Sequence, residues 1–404
     1  MLTVKEMNGL QSKRVIVRVD FNVPLKSGEI RDDNRIVAAL PTIKELIAKG
    51  ARVVLMSHLG KVKHKLAQED PEKFAKQIKD GNMAPVAVRL SELLGQEAKF
   101  CPATRGEELA KAVNELKDGE VLLVQNTRYE KGEEKCDPEL SKEWAALADA
   151  FVMDAFGSAH RAHASTYGIP EILKAEGKQV AIGYLVEKEV VSLERVVNVP
   201  AENHPYVAIL GGFKVSDKIK VIDSLLKKCD KVIIGGAMAY TFAVALGKKV
   251  GNSPFEPDQL EYAKRMYDTG KILLPVDAVI ANDFENPTDI RTVEGDIPEG
   301  FQGMDIGPKS RELFAAEIAK AKTVFWNGPM GVFEKEEFTA GTVAVCKACA
   351  ELKDAFTVIG GGDSASAAKK LGFKEKFSHV STGGGASLEM IENDGHLPGI
   401  DVIK

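Results

Sequence analysis

The chain has 404 residues, 44% of them hydrophobic and 28% charged, with a formal net charge of −5. That length predicts more than one domain, and the balance is that of a soluble globular protein. The acidic charge argues against a general nucleic-acid binder, which needs a basic surface. The longest uncharged apolar run, "VIIGGAMAYTFAVALG" at 232–247, is too short to span a bilayer and carries a Gly-Gly break.

The opening "MLTVKEMNGL" has charges where a signal peptide would have its apolar core. The five cysteines are scattered and odd in number, which predicts a reduced, cytoplasmic chain. Along the first half, apolar runs of strand length end in polar residues: "RVIVRVDFNVP", "ARVVLMSHLG", "GEVLLVQNTRYE" and "DAFVMDAFGSAHR". Each precedes a helix-like stretch. Residues 184–199 follow, with Leu185, Val186, Val190, Leu193 and Val197 at helical spacing. They predict a helix joining a first domain, 1–183, to a second that starts at 200.

The second half repeats the alternation in "YVAILGGFKVSDKI", "KVIIGGAMAYTF", "KTVFWNGPMGVFE", "AFTVIGGGDSASAA" and "SHVSTGGGASLEM". Strands alternating with helices predict an α/β chain, two doubly wound parallel-sheet domains joined by a hinge helix. In such sheets ligands bind beyond the carboxyl ends of the strands, so the residues closing each run are the functional candidates. "CKAC" sets Cys346 and Cys349 at redox or zinc spacing, but inside a helix-like segment without a second pair. They are read as small buried residues on one helix face.

The strand ends of the first half are cationic or amide-bearing: Arg18, Asp20 and Asn22, then His58, Arg128, and Arg161 beside His160, with Arg35 after the first strand. Guanidinium forks match phosphate and carboxylate oxygens in pairs. A cleft lined this way suits a small, multiply anionic ligand, with Asp20 and Asn22 orienting arginines or accepting from a ligand hydroxyl. "DAFGSAHRAHAST" poses the alternative of a metal at His160 and His163. Only Asp154 is near enough in sequence to add a ligand, and Arg161 would repel the ion. Anion binding is the favoured reading.

The strand ends of the second half are glycine-rich. Glycine lets backbone N–H groups approach phosphate, and a following helix adds the partial charge of its N-terminus. Repeated after each strand, such turns point to a polyphosphate or nucleotide. Lys214 and Lys218 lie one helical turn apart, and Asp363 opens a helix where a carboxylate can help hold Mg²⁺ beside phosphates. The P-loop signature is absent. "GGGDSA" fits a loose dinucleotide fingerprint, but the next strand ends in "SHVSTGGG" without the ribose-binding carboxylate. That weakens an NAD(P)-dependent oxidoreductase. A two-lobed anion-binding protein without catalysis leaves the glycine turns unexplained.

The set "VRVDFNVP", "DDNRIVAALPTI", "SHLG", "DAFGSAHRAHAST", "GGFKVSDKI", "DIGPKS", "WNGPMGVFE", "GGGDSASA" and "HVSTGGGASLE" resembles the phosphoglycerate kinase family over nearly the whole chain. The resemblance implies two α/β domains and phosphoryl transfer between 1,3-bisphosphoglycerate and Mg-ADP, giving 3-phosphoglycerate and ATP in glycolysis. It implies a monomer, and the acidic charge and short apolar run predict no nucleic-acid or membrane partner. Asp20, Asn22, Arg35, His58, Leu59, Gly60, Lys61, Arg128 and Arg161 would hold the phosphoglycerate. Lys214, Lys218, Gly303, Asn327, Glu334, Gly361, Gly362, Asp363 and Ser364 would contact the nucleotide, Glu334 at the ribose and Asp363 at Mg²⁺.

Arg35, Lys214, Gly362 and Gly385 would be catalytic. The first two would neutralise the phosphoryl in flight, with Gly383, Gly384 and Gly385 offering N–H groups. The acceptor carboxylate is already ionised at pH 7, so no catalytic base is expected. Ligands on separate domains would be brought together by hinge closure. The resemblance also implies a nucleotide-binding domain at 200–377 and a tail, 378–404, packing back on the first domain. Four positions depart from the family. Lys61 and Val62 stand where Arg-Pro is usual; Lys61 keeps the charge and loses the fork. Gln125 replaces a frequent Glu. Phe213 replaces a small residue and is read as core filling rather than as packing under the nucleotide.

Overall fold

The computed structural model describes all 404 residues. They form two compact units, Met1–Val190 with His396–Lys404, and Val191–Gly395.

The first unit is built on six parallel strands: β1 (Arg14–Val19), β2 (Arg52–Met56), β3 (Ala98–Cys101), β4 (Val121–Val124), β5 (Ala150–Asp154) and β6 (Val180–Ile182). Their order is β3-β4-β2-β1-β5-β6. The second unit's main sheet contains β7 (Tyr206–Leu210), β8 (Lys231–Ile234), β9 (Ile272–Leu273), β13 (Thr323–Asn327), β14 (Phe356–Gly360) and β15 (His379–Ser381), ordered β9-β8-β7-β13-β14-β15. Between them, β10 (Asp277–Ala281), β11 (Ile290–Glu294) and β12 (Gln302–Ile306) make a separate antiparallel sheet. The helices that matter below are α1 (Asn34–Ala48), α2 (Tyr184–Val197), α3 (Ile219–Lys228), α4 (Met238–Ala245), α5 (Ala340–Ala350), α6 (Gly362–Lys370) and α7 (Gly384–Glu392).

The parallel strands read as unbroken apolar runs because both faces are covered. Val15, Val17, Val53, Leu55, Leu123 and Val152 sit in one buried cluster of the first unit. Val207, Ile209, Ile233, Val324, Trp326 and Ile359 do the same in the second. The sequence runs located the interior strands but passed over β3, β6 and β9, which are short edge strands. The antiparallel sheet was also not expected. Its strand β11, "IRTVE", is mostly exposed and lacks an apolar period.

In each sheet the first strand lies between neighbours reached early and late by the chain. β1 pairs with β2 and β5, and β7 pairs with β8 and β13. The winding reverses there, which opens a crevice at the carboxyl ends of the strands.

Two boundaries differ from expectation. The division between units falls inside α2, which ends at Val197 rather than at 199. Residues 378–395 stay with the second unit: β15 extends its sheet beside β14, and Ser224 of α3 donates to the Ile391 carbonyl of α7 at 2.8 Å. Only His396–Lys404 join the first unit, where the Gly399 N–H donates to the Ala159 carbonyl at 2.8 Å.

Candidate functional sites at the two strand-end clusters

In the first unit the loops after β1, β2 and β4 are stitched to one another. The Asn22 amide oxygen accepts from Gly60 N–H at 2.8 Å, and Ser57 Oγ accepts from Phe21 N–H at 2.9 Å. Arg128 Nη1 donates to the Gly60 carbonyl at 2.9 Å. Asn126, which the sequence reading did not single out, is buried and ties Leu59, Gly81 and Arg128 together with four hydrogen bonds. Arg35, in the first turn of α1, places Nη1 between both oxygens of Asp20, at 2.9 and 3.0 Å. Asp20 therefore orients an arginine. Arg35, Lys61 and Arg161 are exposed, and Asp20, Asn22 and Arg128 are half-buried.

Arg18 does not join this exposed set. It is 1% exposed and lies beneath it. Its guanidinium donates to Ser165 Oγ at 2.8 Å, to the Val19 carbonyl at 2.6 Å and to His58 Nδ1 at 3.0 Å. A guanidinium has no acceptor, so Nδ1 must be the acceptor and neutral His58 carries its proton on Nε2. Burial, then the charges of Arg18, Arg128 and Arg35, push the His58 imidazolium well below its ordinary pKa. Behind Arg18 stands Glu133, wholly buried, which accepts from Ser165 N–H at 2.8 Å and Ser165 Oγ at 2.7 Å. Glu133 and Ser165 are 32 residues apart, and nothing in local sequence signals the pair.

The metal reading of "HRAHAST" finds no support in the geometry. His163 is buried and its ring caps the turn at Ala164–Gly168. No group of three or more His, Cys, Asp or Glu is placed to hold a metal ion. Asp154 is turned elsewhere. Its Oδ1 accepts from Leu185 N–H at 3.1 Å in the first turn of α2, while Tyr184 N–H donates to Thr42 Oγ1 at 3.0 Å. Its other oxygen, Oδ2, is buried without a partner.

Burial raises the Asp154 pKa to about 7 against the lowering pull of Thr42 and the helix N–H groups. The folded protein thus keeps a proton that the unfolded chain loses near pH 4. Stability should fall as pH rises from about 4 to 7, by on the order of a few kcal/mol, and level off above that. Asp154→Asn keeps the acceptor and cannot ionise. Denaturant melts at pH 5 and pH 8 should show the variant's stability relative to the wild type rising from the lower pH to the higher.

In the second unit the glycine turns pack on each other. A Cβ on Gly211 would lie 2.0 Å from the Pro329 carbonyl, and one on Gly236 would lie 2.7 Å from Gly212 N and O. Part of the glycine content therefore serves loop contact as well as any ligand. Asn327 closes β13. Its amide accepts from Lys218 Nζ at 2.5 Å and donates to the Gly360 carbonyl. Ser364 Oγ accepts from Gly328 N–H at 2.7 Å. Glu256, unremarked in the sequence, accepts from the N–H groups of Val215 and Ser216 at 2.7 and 3.2 Å, pinning the turn after exposed Lys214. Burial lowers the Lys218 pKa.

The N-termini of α6 and α7 are neighbours: a Cβ on Gly384 would lie 3.0 Å from Gly361 Cα. The first N–H groups of a helix lack intrahelical acceptors and carry its positive dipole end, and here two such ends lie side by side. Asp363 is exposed in the first turn of α6. A cavity of about 530 Å³ opens beside it, with Gly212, Gly303, Glu334 and Asp363 on its lining. Gly303 is required by its surroundings, since a Cβ would lie 1.8 Å from Tyr240 Oη of α4.

The departures resolve differently. Gln125 Oε1 accepts from Met83 N–H and Asn126 N–H at 2.9 and 3.0 Å, while its Nε2 donates to Asn82 at 3.1 Å. A carboxylate could not make that last bond. Val62 is buried. Cys346 and Cys349 are buried in the core on α5, and burial raises both thiols. Phe213 does not fill the core: it is 64% exposed.

A family profile described as phosphoglycerate kinase matches residues 4–394. A phosphoglycerate kinase of Listeria monocytogenes is 54% identical over 402 residues, covering 98% of this chain and 97% of that one. One from Lacticaseibacillus casei is 52% identical over 401 residues, with the same coverage of 98% and 97%. Among solved structures, phosphoglycerate kinase from Coxiella burnetii superimposes with a TM-score of 0.84 at 36% identity, over 98% of this chain and 97% of that one. The enzyme from Pyrococcus horikoshii superimposes with a TM-score of 0.82 at 33% identity, over 100% and 98%. Two parallel α/β units and a match across nearly the whole length lead to one conclusion: the chain belongs to the phosphoglycerate kinase family, enzymes that pass a phosphoryl group reversibly between 1,3-bisphosphoglycerate with ADP and 3-phosphoglycerate with ATP.

Proposed function

We propose that the first unit holds the phosphoglycerate and the second holds the Mg-nucleotide. The observation that carries this reading is the sorting of side chains at the two winding reversals. Arginines, His58 and amides gather at one, and glycine turns, lysines and helix N-termini at the other. Arg35, Arg128 and Arg161 grip phosphate and carboxylate oxygens, with Lys61 adding a charge. His58 contributes a neutral Nε2–H, since Arg18 occupies Nδ1. Asn22, Leu59 and Gly60 shape the same rim, and Asp20 fixes Arg35.

In the second unit, Lys214, Lys218, Asn327, Gly361, Gly362 and Ser364 form the polyphosphate seat, and Gly303 and Glu334 border the base and ribose. Asp363 suits Mg²⁺: it is an exposed carboxylate at the cavity and in the first turn of α6, and this ion keeps several waters and takes few protein ligands. When bound, Mg²⁺ supplies charge neutralisation along the phosphates. The protein's own part is positioning and electrostatics. Arg35 and Lys214 stabilise the moving phosphoryl, with the N–H groups of Gly362 and Gly383–Gly385 aimed where charge develops. We further read the chain as a cytoplasmic monomer. All five cysteines are free thiols, as a reducing compartment requires, and no helix is long and apolar enough to cross a membrane.

The test is a coupled assay of 3-phosphoglycerate phosphorylation with the two substrates varied separately. Arg128→Ala and Arg161→Ala should raise KM for 3-phosphoglycerate and leave KM for ATP alone. Lys61→Ala should raise the same KM by about fivefold, the worth of roughly 1 kcal/mol for an exposed charged contact. An unchanged KM would remove Lys61 from the site.

A further inference from the structure

Phe213 is a large aromatic side chain left 64% exposed in a unit that buries Phe242, Phe314, Phe325 and Phe338 completely. It follows Gly212, whose φ of +134° turns the chain out of β7 at the winding reversal. Its ring is part of the lining of the 530 Å³ cavity that also carries Glu334 and Asp363. A second exposed phenyl, Phe284, belongs to the same lining. Lys335 steadies it, with Nζ 4.9 Å from the ring centroid and donating to the Glu285 carbonyl at 2.9 Å. Tyr240 and Pro254 add apolar area.

A phenyl ring offers nothing to a phosphate, which takes its contacts from N–H groups and cations. It offers a π-face to a nucleobase. Exposed aromatic surface beside a few polar groups is the composition of a site for a flat, apolar-faced ligand. We infer that Phe213 is a base-stacking residue that strengthens nucleotide binding and favours purines over pyrimidines, whose rings present less area. This rests on the reading that the cavity takes the nucleotide base.

Calorimetric titration of the full chain with Mg-ADP, Mg-CDP and Mg-pyrophosphate tests it. Phe213→Ala should weaken ADP binding roughly five- to hundredfold, weaken CDP less, and leave pyrophosphate unchanged. Phe213→Tyr should restore ADP affinity. Equal losses for ADP and pyrophosphate would show a disturbed turn and overturn the stacking role. A loss for CDP as large as for ADP would overturn the purine bias. Unchanged ADP binding in Phe213→Ala, with Glu334→Gln still weakening it, would overturn the inference and leave the cavity reading standing. If neither variant shifts ADP affinity, the cavity reading fails too.

Discussion

Replacing Arg35 with alanine is expected to lower kcat by about 10²–10³-fold, the cost of removing one preorganised charge from a developing anionic transition state. The melting temperature should hardly move. Arg35 is exposed at the start of α1, and its side chain is 44% exposed in the ion pair with Asp20. Such a pair contributes about 0–1 kcal/mol. The same bonds hold Arg35 in one place, with Nη1 at 2.9 and 3.0 Å from the Asp20 oxygens. Asp20→Asn should therefore cost less than Arg35→Ala, because the guanidinium remains but is held less firmly. Steady-state kinetics beside thermal melts separates these outcomes. A kcat within threefold of wild type in Arg35→Ala would remove the residue from catalysis.

The largest expected effect on stability lies at Glu133. Its carboxylate is 0% exposed and is the buried negative charge behind Arg18, itself 1% exposed, with Ser165 Oγ bonded to both. Glu133→Gln keeps the shape and removes the charge. Breaking one side of a buried charge pair typically costs about 3–5 kcal/mol, because the other charge stays buried without compensation. For a unit of this size that is a fall in melting temperature of roughly 10 °C. His58 should loosen as well, since Arg18 is what fixes its tautomer. A denaturant melt showing less than about 1 kcal/mol of loss would mean that Ser165 and the backbone, not charge balance, hold Arg18 in place.

The edge of each sheet that carries the candidate residues was legible in the sequence because interior parallel strands are continuous apolar runs whose last residues must face the crevice. His58, Arg128, Lys214 and Asn327 fall at that edge or in the turn after it, Arg161 lies a few residues further on, and Arg35 and Asp363 stand in the first turn of a following helix. Edge strands such as "AKFC" and "VAI" are too short to stand out. The residues that hold the site together were out of reach for a different reason. Arg18 and Ser165 are 147 residues apart, Leu59 and Asn126 67, and Val215 and Glu256 41. Only the fold brings each pair together. Glycine had two meanings that sequence could not separate. Gly211, Gly236 and Gly328 are needed where loops touch, whereas Gly362 has open space around its missing Cβ. Phe213 was misjudged because its apolar character says core, and only its exposure shows that nothing of the chain covers it.

The measurement that bears most directly on the central claim is hydrogen–deuterium exchange of the full chain with each ligand alone. 3-Phosphoglycerate should slow exchange in peptides covering residues 18–22, 57–61 and 126–129. Mg-ADP should slow it in those covering 211–216, 328–334 and 361–364. Protection of the glycine turns by 3-phosphoglycerate, or of the arginine cluster by Mg-ADP, would contradict the division of ligands between the two units.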